Sequence, residues 1–333
     1  MGVHPMRILR ILYLLIVFLG FARVPDIAGQ TGEIPVDPQV LPIVVKIETF
    51  SEREKKPITG TGFIVSREVK RASETKRVSF LVTNKHMVSD WTLADGDIKD
   101  FNKYLQVHFY RTDFSPEHPT QSLRIDLCDK KGRVDDQKVQ AHSSPSVDVA
   151  VVFLQPDLIK ATGINVPSFD VSFLLPFDRI TSNYFNIGSQ VFVIGYPLGI
   201  TSLRNNYPLA KFGYIASTPG EEFALEMMAP DRKGVHKKVN LIGKLLVIDG
   251  LIVPGNSGGP VVLPSVVKTR INPESKAWEH TEEPSKNLVI GILAGGFESS
   301  GLSYTYSSDY IVETINDYLK KNGFQAQATS NWP

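Results

Sequence analysis

The sequence predicts an all-β protein built from two antiparallel six-stranded β-barrels, followed by one C-terminal helix. Two observations lead to this fold class. From residue 40 onward, short runs rich in β-branched and aromatic residues alternate with turn residues. A helical period of 3.6 residues is not sustained before residue 309. The runs supply enough strands for two small barrels, and they cover residues 41–48, 60–65, 78–83, 105–110, 147–154, 190–195, 212–217, 244–248, 260–263 and 288–294.

The C-terminal segment has a different pattern. Ile311, Val312, Ile315 and Leu319 are spaced as on one face of a helix, which predicts a helix over residues 309–320. The Asn-Gly pair that follows is a typical helix stop. We expect this helix to pack on the second barrel. The polar, aperiodic residues 325–333 predict a disordered tail.

The boundary between the two barrels is predicted near residue 167. Residues 154–184 hold several prolines and no clean alternation, which indicates a connection. The predicted domains are an N-terminal barrel at residues 38–166 and a C-terminal barrel with its helix at residues 167–324. Two polar insertions, residues 219–238 and 268–287, interrupt the second half. Each is interpreted as a solvated loop, with a binding loop as the alternative.

The composition is that of an ordinary globular protein. The chain has 333 residues, 42% of them hydrophobic and 21% charged, which excludes global disorder and a small disulfide scaffold. Lysine and arginine total 36 against 35 aspartate and glutamate, so the net charge is +1. That balance gives no overall field for a nucleic-acid backbone or an anionic membrane, and no nucleic-acid partner is expected.

The first 29 residues follow the pattern of a secretory signal peptide. Arg7 and Arg10 precede an apolar run over residues 11–22, and small residues follow at Ala28 and Gly29. The run has about 12 residues, whereas a membrane-spanning helix needs about 20. We therefore expect export to the periplasm or the extracellular space, without stable membrane insertion after cleavage. An uncleaved N-terminal membrane anchor is the alternative.

Cys128 is the only cysteine, so an exported chain can form no internal disulfide and its fold rests on core packing. The residue ends an apolar run and is interpreted as part of a strand rather than as a nucleophile. No group of histidines or cysteines has the spacing of metal ligands, so neither a metal nor another cofactor is expected.

The most informative segment is Pro-Gly-Asn-Ser-Gly-Gly-Pro at residues 254–260. Its glycines allow backbone conformations closed to other residues and leave the Ser257 hydroxyl accessible. A Gly-x-Ser turn can direct the backbone N–H groups of Gly255 and Ser257 to one point, as an oxyanion hole requires. The segment lacks the Gly-Lys-Ser/Thr ending and the following helix of a phosphate-binding loop. It therefore predicts a nucleophilic serine together with its oxyanion hole.

A nucleophilic serine needs a base, and the base needs a carboxylate that orients it. Of the seven histidines, His86 alone sits at the end of a strongly apolar strand. Asp148 stands at the head of the apolar run that follows it. Taken alone, His86 could be a structural strand-end residue and Asp148 a turn residue. Their order along the chain, ahead of Ser257, makes the three residues candidates for one catalytic site.

Four motifs together resemble the trypsin-like serine proteases of the chymotrypsin fold. They are Thr-Gly-Phe-Ile-Val at residues 61–65, Thr-Asn-Lys-His at 83–86, Asp-Val-Ala-Val at 148–151 and Gly-Asn-Ser-Gly-Gly-Pro at 255–260. The segment 188–199 and Asn256 are similar to the bacterial HtrA-type protease domain. PDZ domains, which usually follow that domain, are not expected, because strands and the terminal helix account for the residues after Ser257.

The resemblance implies a serine endopeptidase that hydrolyses peptide bonds through an acyl-enzyme. Ser257 would attack the carbonyl, His86 would accept and return the proton, and Asp148 would hold the imidazole tautomer. Protein or peptide substrates are the expected partners, and the oligomeric state is left open. The alternative is a catalytically silent or latent protease-like domain that binds peptides or partner proteins in its cleft. An esterase of the α/β-hydrolase type is opposed by the β pattern.

The resemblance also implies substrate contacts. Leu251 stands where the family has the floor of its specificity pocket, and an apolar floor favours small or medium aliphatic P1 residues. Ala294, Gly295 and Gly296 fall where an edge strand of the family binds the substrate backbone by β-addition.

Several positions depart from the family pattern. Ala294 replaces a serine that supports the aspartate in many relatives, so one hydrogen bond to Asp148 is expected to be missing. Lys85 precedes the histidine where small residues are common, and its side chain is expected to point to solvent. Asn256 cannot form the ion pair that activates trypsin-type zymogens, so no such proteolytic switch is expected. The insertion 219–238 has no family counterpart and is a candidate regulator or cover of the cleft.

Overall fold

A computed structural model describes residues 37–51, 53–71, 74–109, 121–164, 166–181, 185–202, 206–250, 252–264, 287–297 and 300–326, and the backbone of 268–271 and 278–281. These residues belong to one compact unit, Val36–Pro333. The predicted signal peptide, Leu251 and residues 327–333 of the predicted tail lie outside the described residues.

The described chain is mainly β, as predicted. Three α-helices interrupt it, α1 (Lys85–Val88), α2 (Pro156–Thr162) and α3 (Ser308–Lys321). No helix in this part of the chain is long and apolar enough to span a membrane. The strands are β1 (Val44–Ser51), β2 (Lys56–Arg71), β3 (Glu74–Thr83), β4 (Tyr104–Phe109), β5 (Gln121–Asp126), β6 (Val139–Ala141), β7 (Ala150–Leu154), β8 (Phe169–Asp170), β9 (Gln190–Gly195), β10 (Leu209–Ile215), β11 (Phe223–Pro230), β12 (His236–Gly243), β13 (Leu245–Asp249), β14 (Pro260–Val262), β15 (Lys268–Ile271), β16 (Trp278–Thr281), β17 (Val289–Gly296), β18 (Leu302–Ser307) and β19 (Gln325–Ala326).

Two large sheets organise the described strands. The first runs in the order β5-β4-β1-β2-β3-β7-β6, and both β8 and β19 add to β2. The second is a closed barrel of six strands in the order β10-β13-β18-β17-β14-β9. Every neighbouring pair is antiparallel except β2 with β8, within the residues described. The predicted fold class is confirmed, and the first sheet has more strands than the six expected.

The core continues from the barrel into the first sheet, and β9 illustrates how. Successive side chains of a strand point to opposite faces. Val191 and Val193 therefore face the hydrophobic cluster inside the barrel, while Phe192 and Ile194 face a larger cluster that includes Phe63 of β2. Because both faces of β9 are covered, its sequence is an unbroken apolar run rather than an alternating one.

The C-terminal helix is confirmed, but it packs on more than the second barrel. The Ser307 hydroxyl accepts a hydrogen bond from the Asp309 N–H and caps α3. Further along the helix, the ring of Tyr318 stacks on Phe153 of β7 and meets Phe80 of β3 edge-on. The chain then adds β19 beside β2, so the first two residues of the predicted tail belong to the first sheet.

The interpretation of the two polar insertions as loops is wrong. Residues 219–238 contribute to a two-stranded ribbon, β11 and β12, and residues 268–287 contain a second ribbon, β15 and β16. In the first ribbon Phe223, Leu225 and Met227 are partly buried against the core, and the residues between them are exposed. The exposed positions include Ala224 and Met228, and these apolar residues conceal the period-two pattern in the sequence.

Candidate active site

His86 and Asp148 come together as a hydrogen-bonded pair. His86 lies in α1, directly after β3, and Asp148 lies just before β7. Because β3 and β7 are antiparallel neighbours, with Thr83 opposite Ala150, the end of one strand meets the start of the other. The His86 Nδ1 atom is 2.7 Å from Asp148 Oδ2, and the His86 backbone N–H donates to Asp148 Oδ1 over 3.1 Å. Both carboxylate oxygens are therefore engaged by one residue.

The surroundings of this pair favour a proton on the imidazole. The Asp148 side chain is 6% exposed and the His86 side chain 28%. Burial acts to lower the pKa of His86, but the charge of Asp148 and the hydrogen bond to it outweigh burial, so the pKa lies above its usual value. A histidine held in this way is a stronger base than one in water, and its free ring nitrogen is the one available to a substrate or a nucleophile.

The residues before His86 hold the Asp148 segment in place. The Asn84 amide donates to the Asp148 carbonyl over 2.7 Å, and the Lys85 Nζ donates to the Ser144 carbonyl over 2.6 Å. Three consecutive side chains of one short helix and its N-cap thus contact one segment, residues 144–148. Sequence reasoning treated Lys85 as a departure from a family pattern and missed this function of Asn84 and Lys85.

The closed barrel also contributes to the Asp148 segment. The Tyr306 hydroxyl on β18 donates to the Ser146 carbonyl over 2.6 Å. Burial, together with the nearby Tyr304 and Asp148, raises the pKa of Tyr306, so the hydroxyl stays a donor. The aspartate is therefore positioned from both sheets. Ala294 has no hydroxyl to donate to Asp148, where many relatives have a serine. The contacts of the Asp148 carboxylate are with His86, one on each oxygen.

The expectation that Lys85 points to solvent is wrong. Lys85 is 2% exposed, and its Nζ lies 5.7 Å from the centre of the Trp91 ring. Burial lowers the pKa of Lys85 to about 8, although the charge of Asp148 opposes the shift. Trp91 in turn donates from its indole N–H to the Pro145 carbonyl over 3.1 Å. The interior accommodates this side chain because the apolar stem of Lys85 is buried and its ammonium group donates to the Ser144 carbonyl.

Lys85→Met should remove a pH dependence of stability. The pKa of Lys85 is depressed in the folded chain, so between pH 8 and 10.5 the unfolded chain holds a proton that the folded chain has lost. Stability of the wild type should therefore rise through this window, by about 3 kcal/mol relative to Lys85→Met. Urea unfolding at pH 7.5 and pH 10 measures the difference. Lys130→Met, at an exposed lysine, controls for the loss of a charge, and parallel curves for all three chains would contradict the prediction.

Glycine is required at the turn that presents Ser257. Gly255 and Gly258 have φ values of +96° and +87°. A Cβ on Gly255 would lie 2.3 Å from the Tyr196 carbonyl oxygen, and one on Gly258 would lie 2.0 Å from the Thr61 carbonyl oxygen. These distances are far inside van der Waals contact. The turn is therefore pressed against the first sheet, which places Ser257 at the boundary between the two sheets.

Thr61 fixes the direction of the peptide groups in this turn. Its hydroxyl donates to the Gly255 carbonyl over 2.6 Å, and its backbone N–H donates to the Ser257 carbonyl over 2.9 Å. Within the described part of the chain, the N–H groups of Gly255 and Ser257 donate to no protein acceptor. The carbonyls are thus held on one side, and two N–H groups are left for another oxygen, the arrangement that an oxyanion needs.

His86, Gly255 and Ser257 line one open cavity of about 390 Å³. Ser257 is half-buried, and Asp148 lies behind His86, away from the cavity lining. The structure therefore brings together the three predicted triad residues and the predicted oxyanion-hole residues. The rest of the wall mixes apolar and charged side chains, namely Glu54, Lys56, Ile58, Thr59, Met87, Leu198, Gly199 and Pro254.

The predicted substrate-binding residues lie at the end of β17. Gly295 and Gly296 pair with β18 on one side, and the pairing of β14 with β17 ends at Ile292. Beyond that point one edge of β17 has no strand beside it among the described residues. A Cβ on Gly295 would lie 3.0 Å from the Tyr304 ring, so glycine lets that ring approach the strand. Ala294 is 7% exposed.

Asn256 is fully buried beneath the turn, and neither its amide oxygen nor its amide nitrogen has a hydrogen-bond partner among the described residues. A carboxylate in the same place would be a buried, unpaired charge. The neutral amide avoids that buried charge.

The fold and the cavity together define a trypsin-like peptidase. The family model described as "Trypsin-like peptidase domain" matches residues 60–265, and the chain belongs to this family. The predicted family is thereby confirmed.

The solved structures to which the chain is similar include proteins from two bacteria. The active form of the Rv3671c protease from M. tuberculosis has 20% sequence identity and a TM-score of 0.45, covering 94% of this chain and 96% of its own. Its inactive form has 18% identity and a TM-score of 0.44, with 88% and 96% covered. The MamO protease domain from Magnetospirillum magneticum, in its apo form, has 14% identity and a TM-score of 0.44, with 83% and 96% covered. No curated protein matches the sequence at a significant level.

Proposed function

We propose that this peptidase is a serine endopeptidase in which Ser257, His86 and Asp148 form the catalytic triad. The observation that carries the proposal is the His86–Asp148 pair, joined at 2.7 Å, with His86 lining the same cavity as a serine on a glycine turn. The buried Asp148 carboxylate costs stability unless it is paired, and the turn requires glycine at positions 255 and 258. Nucleophilic catalysis gives all of these parts one use.

The proposed chemistry assigns one role to each of these groups. Asp148 holds the Nδ1–H tautomer of His86, so that Nε2 can accept the proton of the Ser257 hydroxyl as Oγ attacks a peptide carbonyl. The negative charge that develops on the carbonyl oxygen is received by the N–H groups of Gly255 and Ser257. His86 then protonates the leaving amine, and water hydrolyses the acyl-enzyme by the same proton route in reverse.

The free edge of β17 supplies the place for the substrate backbone. An extended peptide can add to a sheet edge through main-chain hydrogen bonds, and at Gly295 and Gly296 the edge of β17 away from β18 has no strand beside it among the described residues. We propose small or medium aliphatic P1 residues, from Leu251 in the sequence. The next residue, Ile252, is half-buried and lies beside Gly296. A Cβ built on Gly296 would be 3.9 Å from the Ile252 Cβ.

Labelling by a fluorophosphonate tests the proposed nucleophile. The full chain should form one adduct by intact mass, Ser257→Ala should form none, and His86→Ala should react at least about 100-fold more slowly, since general-base assistance is lost. Ser122→Ala, at an exposed serine of β5, is the matched control and should label like the wild type. A folded wild-type chain that takes no label would instead favour a silent peptide-binding domain.

A further inference from the structure

The ribbon formed by β11 and β12 leaves the closed barrel between β10 and β13, and its tip contacts the loop between α1 and β4. Its inner face is packed on the core through Leu225, Met227 and Leu241, the last of which is 1% exposed. Its tip, residues 231–235, meets the loop that follows α1. That loop, residues 89–101, is called the acidic loop below, because Asp90, Asp95, Asp97 and Asp100 lie in it.

The contact between the tip and the acidic loop centres on Arg232. Its guanidinium nitrogens lie 2.7 Å from Asp90, 2.9 Å from Asp97 and 3.6 Å from Asp95. Its backbone N–H also donates to Asp95 Oδ2 over 2.8 Å. The Arg232 side chain is 17% exposed and the Asp90 side chain 8%, so this pair is shielded from water more than an ordinary surface pair, whereas the Asp97 side chain is 59% exposed. One arginine therefore contacts three carboxylates of one short loop, and one of them, Asp95, also lies 3.6 Å from the Lys237 Nζ.

The acidic loop is closed around the carboxylate that Arg232 meets most closely. Asp90 is 7% exposed, and its Oδ1 accepts from the N–H groups of Lys99 and Asp100 over 2.9 and 3.1 Å. Its backbone N–H donates to the Asp100 carbonyl over 2.9 Å. One oxygen of Asp90 thus organises the loop, and the other faces the guanidinium. Removal of the guanidinium would leave a buried carboxylate beside two others, which mutual repulsion would drive apart.

The loop is joined to the helix that carries His86. The Asn102 amide donates to the Met87 carbonyl over 3.0 Å, and its backbone N–H donates to the Val88 carbonyl over 2.8 Å. The Ser89 hydroxyl donates to the Lys85 carbonyl over 2.8 Å. The last carbonyls of a helix have no partners within the helix. In α1 these partners are supplied by Ser89, at the start of the acidic loop, and by Asn102, directly after its end, so a shift of the loop is transmitted to His86.

We propose that Arg232 is a positioning residue for His86, and that the ribbon is a strut by which the barrel that carries Ser257 sets the place of the histidine. The proposal rests on the proposed function. In this proposal the insertion 219–238 helps to assemble the site across the two sheets and does not cover the cleft.

The test compares Arg232→Met, Arg232→Lys and Lys238→Met in the full chain. Lys238 forms an exposed ion pair with Glu226 on the same ribbon, 2.7 Å long, and is the matched control. Arg232→Met should lower the rate constant of fluorophosphonate labelling by at least about tenfold, because small displacements of catalytic groups are costly. The pH midpoint of labelling should not move, since the His86–Asp148 pair is retained. Arg232→Lys should recover part of the rate, and Lys238→Met should match the wild type.

Hydrogen–deuterium exchange of residues 85–101 gives a readout that does not need activity. Exchange there should rise in Arg232→Met and stay unchanged in Lys238→Met. A wild-type labelling rate in Arg232→Met would overturn the proposal, as would a lowered rate without any change in exchange. If Arg232→Met does not fold, the test rests on Arg232→Lys, because lysine keeps the positive charge but lacks the planar guanidinium group. A wild-type labelling rate in Arg232→Lys would then overturn the proposal. A wild-type chain that never labels refutes the proposed function instead, while exchange still reports on the strut.

Discussion

Asp148→Asn should lower the rate of peptide hydrolysis or fluorophosphonate labelling by about four orders of magnitude, the effect of the same change in well-studied triads. The amide cannot accept from both the His86 backbone N–H and the ring Nδ1–H as the carboxylate does, so the imidazole loses its tautomer and its orientation. Residual labelling should remain, because Ser257 and the two N–H groups of the turn are untouched. Single-turnover labelling with excess probe measures the loss directly.

The same variant should shift the pH dependence in a defined direction. The Asp148 charge holds the pKa of His86 above its usual value, so the wild type should gain its basic, active form only as pH rises past 6.5. Asp148→Asn removes that charge and leaves burial, which lowers the pKa, so the midpoint should fall. Asp126→Asn, at an exposed aspartate on β5, should change neither rate nor midpoint. A wild-type rate in Asp148→Asn would remove Asp148 from the site.

Gly258→Ala should abolish labelling and destabilise the fold. The added Cβ would lie 2.0 Å from the Thr61 carbonyl oxygen and 2.7 Å from the Thr83 hydroxyl, so the turn would have to leave the first sheet. The positive φ of +87° adds backbone strain. Together these effects should cost at least about 3 kcal/mol of unfolding free energy. Urea unfolding and labelling of the same sample measure both effects.

The control for Gly258→Ala separates strain from overlap. Gly163, at the C-terminus of α2, has a φ of +66°, and a Cβ there meets no atom within 4 Å. Gly163→Ala should therefore cost about 1 kcal/mol and leave labelling intact. Equal stability of the two variants would mean that the turn is not pressed against the first sheet.

The strands and the terminal helix were predictable because their signals are local. Residues 190–195 match β9, and the helix predicted at 309–320 differs from α3 by one residue at each end. Prediction was poorest where the sequence of a strand does not alternate cleanly between apolar and polar residues. Both ribbons and β18 (Leu302–Ser307) went unrecognised, although each strand pairs with a neighbour along the chain, and in β11 the exposed Ala224 and Met228 conceal the buried face.

The sequence by itself determined which groups could carry chemistry. A serine between glycines, a histidine at a strand end and an aspartate before a buried strand are residue types that the reaction and the turn geometry demand, whatever their neighbours are. Tertiary structure decided what surrounds them. Lys85 is buried because its ammonium group donates to the Ser144 carbonyl and lies near the Trp91 ring. Arg232 contacts Asp97 across 135 residues of chain. From the sequence alone a charged residue is assigned to solvent. Only the folded chain shows whether water or a distant group of opposite charge compensates that charge.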